Sequence, residues 1–303
     1  MFRRLLIYFR EMFPFQVYLP YSLLTYFCLY FITEGILTEG ELRINSEGII
    51  GWVTVLCVLI ILRILDEFKD IETDKRLFPD RPLPRGGVSF RDIKILGIAL
   101  FIIMVMINIY LSWVLLPFAA MMIYIWASYK WFFLKKIISE NLFLTLITHQ
   151  PITLMVNLYI VSISFKSMGF IQLNGLVIVS ILAFSFPVTA WETSRKIRST
   201  GNETDYVTYS KLIGPVKATL LPLFSLIVTI GLFIYLGIVL NFPLIVFICL
   251  FLILISILFF YIRFQIKPNE RNLCLKPVAE ISMILITLIF LIQLILKSGI
   301  CWC

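Results

Sequence analysis

The chain has 303 residues, 60% of them hydrophobic, with a mean hydropathy of +0.98. That composition excludes an ordinary soluble domain. The formal net charge of +8 is not gathered into a soluble basic face, so nucleic-acid binding is excluded as its cause.

The opening residues, MFRRLLIYFREMFPFQ, read as an amphipathic segment over 1–15 that lies on the membrane surface and breaks at Pro14. A cleaved signal peptide is the competing reading. The apolar run after Pro14 is long, however, and no small-residue cleavage site follows it. Nine apolar stretches then reach spanning length, near 16–33, 49–68, 93–110, 112–128, 141–163, 172–192, 216–237, 242–262 and 277–296. They are continuously apolar rather than alternating, which predicts helices and not barrel strands. The whole chain, 1–303, thus reads as a single all-α integral membrane domain. With the N-terminus inside, 23 of the 26 Lys and Arg fall on inner segments; Arg43, Lys166 and Lys297 are left outside. This bias predicts a cytoplasmic N-terminus, in a cell inner or plasma membrane, and an odd number of spans.

The six cysteines form no metal pattern: Cys28, Cys57 and Cys249 sit in spans as small packing residues. Cys301 and Cys303, at the outer end, are open to a disulfide, a modification or a disordered tail.

The functional polarity is concentrated in two inner loops, 66–92 and 192–217, which predicts two half-sites closing over one central cavity. In the first, Asp66, Asp70 and Asp74 stand four residues apart. A helix would put all three carboxylates on one face, each roughly 6 Å from the next. Their mutual repulsion beside a bilayer calls for a cation. Carboxylates without a nearby His or thiolate suit Mg²⁺, which takes one or two of them and shares its other positions with phosphate oxygens. Pro79, Arg81, Pro82, Pro84, Arg85, Gly86 and Gly87 follow, a rigid turn carrying arginines able to grip phosphate.

The string D66-EFK-D70-IET-D74 with P79-D-R81-P82-LPR-G86 resembles the first aspartate-rich motif of the UbiA superfamily of intramembrane prenyltransferases. The resemblance implies that Asp66, Asp70 and Asp74 hold Mg²⁺ bound to an isoprenyl diphosphate. The second loop, WETSRKIRSTGNETDYVTYSKLIG, is similar to the family's second motif at Glu192, Arg195, Lys196, Tyr209, Ser210 and Gly214. It departs at two positions where the motif has aspartate, here Ala190 and Ser194. Glu192 is then expected to hold metal alone or through water, with Asp205 or Glu203 reaching in. Arg195, Lys196 and Arg198 are expected to neutralise diphosphate, while Tyr209 and Lys211 shape or close the loop. A third fragment, W131-FFL-K135, resembles the family's Tyr-x-x-x-Lys segment and implies that Lys135 meets the diphosphate; snorkelling to headgroups is the alternative. His149, the only histidine, lies in the fifth span beside Gln150 and Pro151. A packing residue and a general base are both open readings.

The implied reaction ionises an allylic diphosphate and transfers the prenyl group to a lipophilic acceptor, expected to be aromatic. Asp66, Asp70, Glu192 and Lys196 are its expected catalytic residues, Arg81, Lys135, Arg195, Lys196, Arg198, Tyr209 and Lys211 are expected to bind diphosphate, and Mg²⁺ is the expected cofactor. The 27 Phe, 13 Tyr and 6 Trp permit a dry aromatic chamber for the cation without proving one. Rival expectations are a UbiA-type terpene cyclase with no acceptor, a phosphoribosyl transfer to a lipid phosphate, and a transporter or binding protein with a degenerate site.

Overall fold

A computed structural model describes residues 1–37, 42–165, 174–201 and 207–302. Lys166, Glu203, Asp205 and Cys303 lie outside these residues. Among the described residues nine helices are long and apolar enough to cross a membrane. The protein is an integral multi-pass membrane protein.

The chain opens with α1 (Phe2–Met12) and then the long α2 (Phe15–Leu37) and α3 (Ser46–Lys69). Asn45 starts α3 by accepting from the Gly48 N–H, a side-chain cap for an otherwise unpaired donor. A short α4 (Ile71–Leu77) follows directly, then α5 (Phe90–Tyr110), whose start is fixed by a reciprocal Ser89–Asp92 capping box. Next come α6 (Leu115–Tyr129), the short α7 (Lys135–Ser139), α8 (Leu142–His149) and α9 (Pro151–Ile163). The fifth span is thus two helices. Pro151 supplies no N–H and sits at the first turn of α9, so the helix restarts there. The second half contains α10 (Gly175–Ser194), α11 (Tyr209–Ile213), α12 (Pro215–Ala218), α13 (Leu220–Val239), α14 (Leu244–Ile266) and α15 (Leu275–Ser298).

The helices pack in a closed order. Contacts run α2–α3, α3–α9, α9–α10, α10–α13, α13–α14 and α14–α15, with α15 returning to α2. Helices α5 and α14 present exposed apolar side chains such as Ile98, Phe101, Phe251 and Leu252, as lipid-facing helices do. Buried polar groups pair between helices, because hydrocarbon offers them no alternative. Asn108 of α5 donates to Thr54 Oγ1 of α3 (3.0 Å) and accepts from Tyr159 of α9 (2.7 Å). Asn157 of α9 donates to Ser185 Oγ of α10 (2.9 Å).

The two ends of the bundle differ in charge. Arg43 and Lys297 lie at one end, where Arg43–Ile44 and Cys301–Trp302 pair as a two-residue parallel bridge. This bridge is the one strand pairing among the described residues. Both candidate loops lie at the opposite, basic end, where α1 also docks. Arg4 donates to both oxygens of Asp92 (2.6 and 3.0 Å), and Tyr8 and Phe13 bury against Ile60, Ile64, Leu83 and Ile93.

Candidate active site

Helix α3 ends one residue before Asp70. The Asp70 backbone turns to φ −106°, ψ 9°, so Asp66, Asp70 and Asp74 belong to α3, a hinge and α4. The i→i−4 hydrogen bonds Asp70 N–Asp66 O (2.9 Å) and Asp74 N–Asp70 O (2.8 Å) persist across the hinge. The three carboxylates nevertheless meet different fates. Asp74 is buried, and Arg81 Nη1 donates to both of its oxygens at 2.6 Å. This ion pair ties α4 to the proline-rich turn, which reverses at Gly86 with φ +79°. Asp66 and Asp70 reach solvent and make no side-chain hydrogen bond or ion pair among the described residues. Protein around Asp70 pushes its carboxyl above the ordinary range by burial. Lys69, and more weakly Lys196 and Arg63, pull it back, while Asp74 adds to the rise.

Across from them, α10 ends in the second loop. Glu192 is clasped by Arg195, Nε to Oε2 (2.5 Å) and Nη2 to Oε1 (2.8 Å), and by Lys196 Nζ to Oε1 (2.9 Å). Ala190 is fully buried, and the Ser194 hydroxyl meets the Tyr261 hydroxyl of α14 at 2.9 Å. These two positions therefore sit in helix packing rather than at the site. Tyr209 is also buried: its N–H donates to Lys196 O (3.0 Å) and its ring meets Phe143 (5.3 Å). Ser210 Oγ accepts from Arg198 N (2.9 Å), so this turn holds the backbone that carries Lys196 and Arg198. Arg198 points Nη1 at the carbonyls of Arg195 and Ile197 (3.1 Å each), and Lys211 is exposed.

The third fragment contributes differently from its pattern. Trp131, Phe132 and Phe133 all have positive φ (54°, 50° and 61°), a conformation that costs bulky residues of order 1–3 kcal/mol each. The turn lays the Trp131 ring over Lys69 Nζ (3.7 Å to the centroid) and against His149 (5.3 Å between centroids). Lys135 is exposed on α7.

Lys69 is the residue that sequence reasoning missed. Its ammonium lies 2.5 Å from His149 Nε2 and 3.4 Å from Ser128 O. It lies in the field of Asp66, Asp70 and Lys196, and His149 in that of Lys69, Lys196 and Glu192. The two loops therefore converge on the break between α8 and α9. The one sequence signal was the lone His beside Pro151 at membrane depth.

The donor set can be compared with Mg²⁺ chemistry. No group of three His, Cys, Asp or Glu placed to hold a metal occurs among the described residues. Two unpaired carboxylates suffice for Mg²⁺ when phosphate oxygens complete the shell, so Asp66 and Asp70 fit that ion. An apolar recess of about 450 Å³ is lined by Ile61, Ile64 and Phe68 with residues of α5 and α6. By helical spacing it lies on the other side of α3 from Asp66.

An all-helical membrane domain with two charged loops gathered at one end is the class that this architecture defines. The chain matches the UbiA prenyltransferase family over residues 22–286, and it belongs to that family. A solved structure of a digeranylgeranylglyceryl phosphate synthase in membranes shares the fold, with a TM-score of 0.66 and 16% sequence identity over 96% of this chain and 99% of that chain. No curated protein matches the chain in sequence.

Proposed function

We propose that this chain is a Mg²⁺-dependent prenyltransferase that ionises an isoprenyl diphosphate and transfers the prenyl group to a lipophilic acceptor. Family membership supports the class. The observation that carries the finer reading is the pair Asp66 and Asp70, two carboxylates without partners, opposite the cations of the second loop.

Asp66 and Asp70 would hold the Mg²⁺, which when bound supplies charge stabilisation to the departing diphosphate. The remaining groups work by exchanging partners. In the structure Arg195 and Lys196 face Glu192, and Arg81 faces Asp74. A diphosphate carries more charge than one carboxylate and competes for these cations. Arg195 and Lys196 would then orient its oxygens in place of Glu192. Charge developing on the leaving oxygen in the transition state is stabilised by groups already in place, which lowers the barrier more than binding alone. The bilayer-embedded helices keep the prenyl tail and the acceptor out of water, which would quench the allylic cation. With the basic end inward, as the charge bias favours, the diphosphate is drawn from the cytoplasm.

The test uses purified protein in lipid nanodiscs with geranyl, farnesyl or geranylgeranyl diphosphate and Mg²⁺, with and without a membrane lipid extract. Diphosphate release and mass spectrometry of the lipids are read together. Extract-dependent prenylated product supports transfer. A cyclic product without extract supports the cyclase instead, and no Mg²⁺-dependent release with any donor refutes the proposal.

A further inference from the structure

The proposed reaction leaves one chemical requirement unassigned: a group that takes the proton lost by the acceptor. We propose that Lys69 and His149 form a substrate-operated switch, in which diphosphate draws the Lys69 ammonium away and exposes His149 Nε2 as that proton acceptor. This inference rests on the prenyltransferase reading.

The geometry fixes the starting state. His149 Nδ1 lies 2.9 Å from the Thr145 carbonyl oxygen. A carbonyl only accepts, so Nδ1 carries the hydrogen and the neutral ring presents its lone pair at Nε2. That lone pair is covered by Lys69 Nζ at 2.5 Å. Thr148 Oγ1, 3.0 Å from Nδ1, also donates to the Leu144 carbonyl (2.8 Å), which holds the same edge of the ring. The imidazole is therefore oriented from behind and capped in front.

The cap is built to move. A lysine is a point charge on a flexible stem, and its grip here is one ring nitrogen, a long contact to Ser128 O and the Trp131 face. None of these partners carries a negative charge. Asp66 on the same helix and Asp70 at the hinge act on the same ammonium, on the side where the diphosphate would bind. A dianionic or trianionic ligand offers the ammonium a stronger partner than a neutral imidazole. The left-handed backbone of Trp131, Phe132 and Phe133 keeps an aromatic wall beside His149 whether or not Lys69 is there.

The proton balance closes without any further reactant. The allylic C–O bond breaks and its electron pair leaves on the diphosphate oxygen. The acceptor's nucleophilic atom bonds to the allylic carbon, and its proton passes to His149 Nε2. The imidazolium then returns the proton to diphosphate or water as Lys69 comes back. Holding the lone pair covered until diphosphate arrives keeps the base from being occupied by water or protonated early.

Because His149 is the only histidine, labelling with ¹⁵N-histidine gives one pair of ring signals from the intact protein. The expected unliganded spectrum has Nδ1 protonated and Nε2 bare. Adding Mg²⁺ with the unreactive S-thiolodiphosphates of geranyl, farnesyl and geranylgeranyl should shift the Nε2 signal while Nδ1 stays protonated. In Lys69→Met the Nε2 signal should start displaced and respond little. His149→Gln should keep analogue affinity within about threefold and lose at least about a hundredfold in product formation with the lipid extract, the range of general-base effects. An Nε2 signal that stays put while an analogue binds overturns the switch and leaves the prenyltransferase reading standing. Full product formation by His149→Gln also overturns it. Failure of every analogue to bind removes the prenyltransferase reading, and the switch with it.

Discussion

The Asp74–Arg81 pair offers the sharpest test of how the first half-site is built. The Asp74 side chain is 5% exposed and that of Arg81 33%, so the pair sits between the surface and buried limits. Exposed ion pairs contribute about 0–1 kcal/mol, whereas removing one partner of a fully buried pair costs about 3–5 kcal/mol. Arg81→Ala strands a nearly buried carboxylate and should cost about 2–3 kcal/mol, a rise of roughly 30- to 160-fold in local opening of α4 and its turn. Asp74→Asn removes the charge that needs a partner and should cost about 1 kcal/mol. The double variant should be no worse than Arg81→Ala alone, because the stranded charge is gone. Thermal unfolding in micelles and limited proteolysis between Leu77 and Ser89 would measure the cycle. Binding of Mn²⁺, with diphosphate present, provides the second readout. Asp74→Asn should change Mn²⁺ affinity by less than about threefold, whereas Asp70→Asn should lower it at least about tenfold, as loss of a ligand does. Additive stability losses would refute the pairing argument. Equal Mn²⁺ losses in Asp74→Asn and Asp70→Asn would show that Asp74 leaves Arg81 to bind metal.

Two further outcomes follow from the same structure. Asp70 is raised above its ordinary range by burial, so the folded state binds its proton more tightly than the unfolded chain. Its stabilising contribution is complete below the unfolded value near 3.9 and is lost as pH rises through the folded one. Metal-free Asp70→Asn should therefore match the parent at about pH 4 and melt higher at neutral pH; the opposite trend would contradict the assigned cause. In the helix packing, Asn108→Leu strips partners from Thr54 and from the Tyr159 hydroxyl. It should cost about 1–2 kcal/mol, read as a lower melting temperature in micelles, and an unchanged melting point would show that the network contributes nothing.

Much of the fold is legible in the chain. Each apolar stretch is long and continuous, and the basic residues gather on every second connecting segment, so the spans and their shared charged end can be read without coordinates. The spans near 49–68 and 93–110 correspond to Ser46–Lys69 and Phe90–Tyr110. Caps at Asn45 and Ser89 explain the earlier starts. The fifth span reads as one stretch near 141–163, and the break at Gln150–Pro151 is visible only in the structure.

The site itself divides along the same line. Asp66 and Asp70 were visible as local spacing, because helical geometry brings i and i+4 together whatever the fold around them. What that spacing could not convey is that Asp74 and Glu192 are each held by their own cations, since these pairings depend on how a turn and a helix end close. The meeting of Lys69, His149 and Trp131 depends on more still. It needs α3 beside the α8–α9 break and three bulky residues held at positive φ, a conformation no local propensity favours. The sequence alone determined a membrane domain with three aspartates at four-residue steps, because hydrophobic length and helical period are local properties. The tertiary structure decided which charges are already spoken for and that Lys69 meets His149, because ion pairs and ring contacts across helices exist only once the helices have packed.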